Sequence, residues 1–423
     1  MRPRALRLRS VAVLVAAVAV GGLAPRAQAA GPPEACTLAE PGEAYRIYLL
    51  TSTPGGSVFS AFGHSALLLS GGPLPAPIVA DWGAFNGKDP ELLPKFLNGT
   101  LEYWMAAEPL SLTLRRHERE ERGLVGQELD IGPEDSERLK GYLEQASKPE
   151  NRNYTYHWFD KNCATQLRDL LDTATHGALS AAAPRDPVPG RTIRGEVLRH
   201  LAPDRPVWFA WHFMASARGE AEISEWENMF LPVRMMEVVG RARASAPERP
   251  LVRRVCSFRD NPRGMAAESA PRRDPLLWLL GGLFGGLFGL GARGRWARPL
   301  LAGGLALLGL LAGGLGTAVL ALWSVTALEG VGPTLGWAVG SPLTLVVGLG
   351  GAALVGLGRR PPALGTLLVG LVVIGLIGLL LVPVVGQDAA GPIGLFLLPT
   401  VGLAIGYRRS ARGTHPDLRS PEG

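Results

Sequence analysis

Residues 275–407 contain only seven charged side chains: Arg293, Arg295, Arg298, Glu329, Arg359, Arg360 and Asp388. The runs between them are almost unbroken Leu, Val, Ile, Ala and Gly. About 17–25 apolar helical residues are needed to cross roughly 30 Å of hydrocarbon. Five runs qualify, approximately 275–291, 299–325, 334–358, 363–386 and 390–406. They predict an all-α bundle of about five transmembrane helices over 275–407, which excludes a wholly soluble, disordered or collagen-like chain. Composition agrees, with 47% hydrophobic and only 19% charged residues.

Basic residues in short loops accumulate on the cytoplasmic side of a membrane. The first and third loops carry Arg293, Arg295, Arg298 and Arg359, Arg360, while the second and fourth carry Glu329 and Asp388 and no basic residue. Arg408, Arg409 and Arg412 follow the last span. This alternation predicts a cytoplasmic tail over 408–423 and places everything before residue 275 outside. The N-terminus agrees: Arg2, Arg4, Arg7 and Arg9 precede an apolar segment at 11–24 and a small-x-small site, Ala27-Gln28-Ala29. These are the parts of a secretory signal peptide spanning 1–29; left uncleaved as an anchor, it would put the domain on the same side. Pro32 and Pro33 exclude a lipobox before Cys36. The expected location is a bacterial inner membrane, with the N-terminal domain periplasmic and the C-terminus cytoplasmic. A net charge of +6 would suggest nucleic acid only if the basic residues formed one face. Distributed across a membrane they do not, and no nucleic-acid partner is expected.

An exported domain over 31–262 and a polar linker over 263–274 remain. The domain reads as α+β: Tyr45 to Leu50, Ser65 to Ser70 and Ile78 to Phe85 are strand candidates, and 133–146 is helical. A further helix follows Asn162, with Ala164, Leu167, Leu170, Leu171 and Ala174 on one face. In the membrane third, Gly281, Gly285 and Gly289 have the spacing of close-packed helices.

The helix after Asn162 carries the chemistry. Asn162 is a good N-cap, which puts Cys163 at the first helical position, where free N–H groups and the helix dipole favour a thiolate. An inert, buried fate is commoner for cysteine, but the capped helix start and the polar Asp160-Lys161 before it argue for a nucleophile. Three cysteines in an oxidising compartment leave one over. A Cys36–Cys256 bridge would staple the ends of the domain and leave Cys163 free. A nucleophilic thiol needs a base, normally His. His415 lies in the tail, His117 in the charged run Arg115 to Arg122, and His176 and His200 among polar or loop-like neighbours. His212 belongs to the aromatic cluster 208–213, which suits core packing or the membrane interface. His64 and His157 remain. His64 is favoured because the Gly63 turn opens a buried strand, a rigid place from which to aim an imidazole.

Several segments together resemble a known family: Thr53-Pro54-Gly55-Gly56-Ser57 with Phe62-Gly63-His64-Ser65-Ala66, Asp81-Trp82-Gly83-Ala84-Phe85, Lys95 to Tyr103, and Phe159-Asp160-Lys161-Asn162-Cys163-Ala164-Thr165. They resemble the Lnb N-terminal periplasmic domain family over most of 45–235. Arg191-Thr192-Ile193-Arg194 and Met229 to Pro232 match more loosely. The resemblance implies a circularly permuted papain-like (NlpC/P60-like) fold with His before Cys, as in lecithin:retinol acyltransferase. Members with a C-terminal membrane bundle include a lipoprotein N-acyltransferase, which moves a fatty acyl chain from phospholipid to a lipoprotein N-terminal amine. The implied roles are Cys163 as nucleophile, His64 as base and Asp81 as the orienting residue, acting through a Cys thioester. Asn162, Arg194 and Trp82 are candidate substrate contacts, with Arg191 and Arg194 suited to a lipid phosphate. The aromatic run Tyr103-Trp104-Met105 and the 208–213 cluster can line an acyl groove or pack as core. No cofactor is expected, and no metal, since neither H-E-x-x-H nor a Cys-x-x-Cys pair occurs. The alternatives are an NlpC/P60-like thiol hydrolase of cell-wall peptides and a non-catalytic exported binding domain on a membrane bundle.

Overall fold

The computed structural model describes residues 34–412, apart from 59, 246–247, 261–263, 265, 267 and 328–329. The signal-peptide expectation, Glu329 and the tail beyond residue 412 lie outside the described residues.

Seven strands build the main sheet of the exported domain: β1 (Arg46–Ser52), β2 (His64–Ser70), β3 (Ile78–Ala84), β4 (Glu102–Pro109), β5 (Leu124–Leu129), β6 (Asn153–Thr155) and β7 (Val252–Arg259). They form one antiparallel sheet in the order β7-β5-β1-β2-β3-β4-β6. The helices that matter below are α1 (Leu92–Leu97), α2 (Leu110–Arg119), α3 (Pro133–Ala146), α4 (Cys163–Ala174) and α5 (Arg205–Met214). The central strands are apolar at nearly every position because both faces are covered. Ile47, Leu49, Leu67 and Leu69 pack with Leu139 of α3 and Leu167 and Leu171 of α4. Tyr48, Leu50, Ala66 and Leu68 pack on the other side with Leu110 of α2 and Cys256 of β7. A Cys36–Cys256 disulfide ties the entry of the domain to its last strand. Cys163 is the free cysteine among the described residues.

Among the described residues, five helices are long and apolar enough to cross a membrane: Asp274–Gly291, Gly294–Val325, Leu335–Gly356, Pro362–Val385 and Ala390–Ala411. The second contains a π-helical turn, Leu308–Gly313. Alternate helix ends meet the exported domain. At the start of the first, Asp274 Oδ1 lies 3.1 Å from His212 Nε2; just past the end of the second, Thr326 Oγ1 donates to the Leu97 carbonyl at 2.7 Å. Before the third, Thr334 Oγ1 donates to the Phe213 carbonyl at 2.8 Å, and between the fourth and fifth, Gln387 Nε2 donates to the Ala215 carbonyl at 2.9 Å. The basic residues gather at the opposite end, where Arg298 donates to the Gly356 carbonyl, Arg360 Nη1 to Ser410 at 2.7 Å and Arg409 Nη1 to Gly289 at 2.9 Å. The charge alternation read from the loops is thus the up-and-down order of the helices.

The glycine stripe of the first apolar helix is a contact surface. A Cβ at Gly285 would lie 2.5 Å from the Leu398 carbonyl oxygen, and one at Gly289 would lie 3.5 Å from Gly402 Cα, so the backbone of the fifth helix fills the space. Gly286, one position on, has nothing within 4 Å of its added Cβ. Gly285→Leu is expected to force the two helices apart at a cost of about 1–3 kcal/mol, seen as a lower unfolding temperature of the detergent-solubilised chain. Gly286→Leu is the control and should not lower it.

Candidate active site

His64 is the first residue of β2, and the turn before it is fixed by Gly63. That glycine has φ 81°, and a Cβ there would lie 2.7 Å from the Ser52 carbonyl oxygen, so only glycine brings the chain into the strand on this path. Asp81 lies on the neighbouring strand β3, where its residue pairs with Ala66 of β2. Because alternate strand residues share a face, His64, Ala66 and Asp81 point to the same side. His64 Nε2 is 2.7 Å from Asp81 Oδ1, and the side chains retain 25% and 18% exposure. Asp81 Oδ1 also accepts the Gly83 N–H at 2.5 Å.

Cys163 reaches this pair from the start of α4. The Asn162 cap takes the Ala164 N–H at 2.9 Å and the Thr165 N–H at 3.0 Å, and Thr165 Oγ1 accepts the Asn162 N–H at 2.8 Å, a reciprocal capping box. The Asn162 amide donates to the carbonyls of Trp158 at 2.8 Å and Phe230 at 3.0 Å. Its carboxamide is therefore fully used in holding the helix start. Nε2 of His64 is taken by Asp81, and the Cys163 side chain acts electrostatically on the same ring.

The charges reinforce one another. Burial pulls the His64 imidazole down, but the Asp81 carboxylate and then Cys163 outweigh it and hold the ring well above its ordinary range. Burial pushes Asp81 up, and the His64 charge and hydrogen bond, the Gly83 N–H and Arg116 overcome it, so the carboxyl sits below its ordinary value. A cavity of about 600 Å³ opens beside the pair, lined among others by Gly83, Phe85, Arg116 and Arg122.

The other candidates lie elsewhere. His157 is half-exposed and pairs with Asp160 at 3.3 Å, within its own loop. His117, read as part of a solvated charged run, sits on the buried face of α2. Its Nδ1 donates to the Thr113 carbonyl at 2.8 Å, its Nε2 is 2.7 Å from Ser52 Oγ, and burial lowers it to about 4. Trp82 is core, with its carbonyl accepting from the Tyr154 hydroxyl. Arg194 is only 2% exposed, paired to Glu220 and bonded through Nη2 to His212, while Arg191 lies 3.5 Å from Glu225.

His212, Asp274 and Asp388 form the group of possible metal ligands among the described residues, their nearest atoms within 4.8 Å. Both ring nitrogens of His212 are already engaged: Nδ1 accepts from Arg194 Nη2 at 2.7 Å, which leaves the Nε2 proton for Asp274. Asp388 N–H donates to Glu220 at 2.8 Å. The cluster is an ion-paired seam between domain and bundle.

Gly83 was quoted in the sequence only as part of a motif, yet it determines the site's geometry. A Cβ there would overlap His64 Cε1 and lie 2.9 Å from Asp81 Oδ1. The signal was a glycine two residues after an acid on one strand, hence on the acid's own face.

Charge linkage gives a direct expectation. The His64 contribution to stability is complete below the usual histidine range, near pH 6.5, and is lost as pH rises through the raised pKa; the Asp81 contribution is complete above the carboxylate range and is lost as pH falls through the lowered one. Asp81→Asn removes the largest raising influence on His64. The ring should then lose its proton at lower pH than in the wild type, measured by side-chain NMR of labelled histidine.

No curated protein and no solved structure matches the chain. Residues 36–196 do match a family model, that of the Lnb N-terminal periplasmic domain.

Proposed function

We propose that the protein is a membrane-anchored cysteine acyltransferase, moving a fatty acyl chain from phospholipid to a lipoprotein N-terminal amine. The observation that carries the reading is the His64–Asp81 pair at 2.7 Å, with the free Cys163 at the capped start of α4 bearing electrostatically on the ring. The match of residues 36–196 to the Lnb N-terminal periplasmic domain supports a lipoprotein N-acyltransferase type of function. The fixed seating of the domain on the apolar bundle supports a lipid donor. The order His strand, acid strand, then Cys helix is what a permuted papain-like domain requires, and the orientation we infer puts this domain in the periplasm.

In the mechanism, the Cys163 thiolate attacks an ester carbonyl of the donor lipid. Asn162 occupies the N–H groups of Ala164 and Thr165, so the Cys163 N–H is the helix-end donor free to face the oxyanion. The tetrahedral adduct collapses as the His64 imidazolium gives its proton to the leaving alkoxide, releasing the lysolipid and leaving a thioester. An acceptor amine attacks that thioester, His64 takes the amine proton, and the thiolate departs as the amide forms. Asp81 holds the ring and balances its charge in both half-reactions. Replacing a thioester by an amide is downhill, so an amine is a competent acceptor.

Intact mass spectrometry of the full chain in phospholipid vesicles should show one acyl adduct on Cys163 and none in Cys163→Ala. His64→Ala should lower the rate of adduct formation by about 10²–10⁴-fold. In cells lacking the gene, lipoprotein N-terminal peptides should lose their amide-linked acyl chain, restored by wild type and not by Cys163→Ala. Unchanged N-acylation in the deletion strain, with cell-wall peptides cut instead, would replace this reading with the thiol hydrolase. Gly83→Ala is a separate expectation: its methyl displaces the His64 ring, and a misplacement of about 1 Å costs on the order of 10²-fold in rate. Adduct kinetics check it, with the Cys36–Cys256 disulfide as evidence that the domain still folds.

A further inference from the structure

Five aromatic rings form a continuous file that starts at the cavity beside His64 and Asp81. Phe85 and Tyr103 have centroids 4.9 Å apart, and Tyr103 stacks on Tyr156 at 4.4 Å. Tyr156 lies 6.4 Å from Phe96, and Phe96 lies 6.5 Å from Trp158. None of the five is fully buried. Helix α1, which contributes Phe96, buries none of its residues and leaves Leu93 62% exposed. Contiguous apolar surface of this kind usually marks a place that something else covers.

The two ends of the file say what covers it. At one end is the candidate active site: Phe85 lines the cavity that His64, Asp81 and Gly83 also line. Burial pushes Tyr103 up to about 12 and Tyr156 well above its ordinary value, so both phenols keep their protons and the surface stays neutral there. At the other end is the membrane bundle. The carbonyl of Leu97, next to Phe96, accepts from Thr326 Oγ1 at 2.7 Å and from the Ala327 N–H at 2.8 Å, just past the second apolar helix. A Cβ at Gly99 would lie 3.2 Å from Ala327 Cβ. Trp158 is 5.3 Å from Trp211, whose indole covers Gly330 of the same membrane loop.

We propose that this file seats a single fatty acyl chain of a bilayer lipid, with the ester carbonyl at Cys163 and the methyl end toward the outer end of the second apolar helix. Its identity as the donor chain rests on the acyl-transfer reading; the contact itself does not. An aliphatic chain is the occupant that matches a neutral aromatic surface joined at one end to hydrocarbon. Laid along the file, it stays on apolar surface from the bilayer to the sulfur, so that its desolvation is not undone on the way.

The test uses the full chain in vesicles of phosphatidylethanolamine and phosphatidylglycerol carrying a trace of phospholipid with a diazirine near the end of a sixteen-carbon chain. Photolabelling is done on Cys163→Ala, so that no thioester competes, and adducts are mapped by peptide sequencing. Labels are expected on the segments holding Phe96, Tyr103 and Tyr156, and should fall about tenfold in Phe96→Ala combined with Tyr156→Ala. In chains retaining Cys163, Phe96→Ala should lower the ratio of sixteen-carbon to eight-carbon acyl adduct by about tenfold, since the longer chain loses more buried area. Labels confined to the apolar helices, or an unchanged ratio, overturn the proposal. Labelling along the file with no acyl adduct from any lipid keeps this inference and removes the acyl-transfer reading; an adduct formed with labels elsewhere does the reverse.

Discussion

The carboxamide of Asn162 is the contact on which the site's geometry depends. Its oxygen holds the first turn of α4 through two N–H groups, and its nitrogen fastens that turn to the carbonyls of Trp158 and Phe230. Those four bonds fix where the Cys163 sulfur stands relative to a sheet from which it is otherwise separate in sequence. The buried end of a helix must satisfy its orphan N–H groups in any case. Here the residue that does so also locates the thiol, so helix stability and site geometry are one requirement.

His64 and Asp81 meet the sulfur for a different reason. Neighbouring strands in an antiparallel pair put facing residues within about 5 Å, and the β2–β3 register sets the two side chains on one face. Gly63 and Gly83 clear the space, one by its backbone angle and the other by having no side chain against the ring. The result is an imidazole with little freedom to turn, bonded at Nε2 to Asp81 and packed against Gly83.

Much of this was legible in the sequence because the signals were local. The spans, the basic loops, the capped helix at Cys163 and the glycine turn at His64 are each written within a few consecutive residues, and the one cysteine left over followed from counting. The misread positions were those whose surroundings are assembled from distant segments. Arg115 to Arg122 looked solvated because charge dominates its composition, but a helix hides one face in four, and His117 occupies that face. Arg194 looked available for a phosphate, and only the fold brings Glu220 and His212 to it across 26 and 18 residues of chain. Trp82 and Asn162 are expected as substrate contacts; in the structure Trp82 lies in the core and Asn162 caps α4.

The exported domain does not hang from the bundle by a single thread. Bonds from Asp274, Thr334 and Gln387 hold the end of α5 at His212, Phe213 and Ala215, and a bond from Thr326 holds Leu97. A platform bolted down in this way has a set altitude above the leaflet and a set heading, so Cys163 cannot roam to find its reactants. On the acyl-transfer reading we propose, encounter becomes a planar search, in which molecules drifting within the membrane arrive at a stationary post, and the traffic they bring scales with their number per unit of membrane area rather than with any concentration in solution.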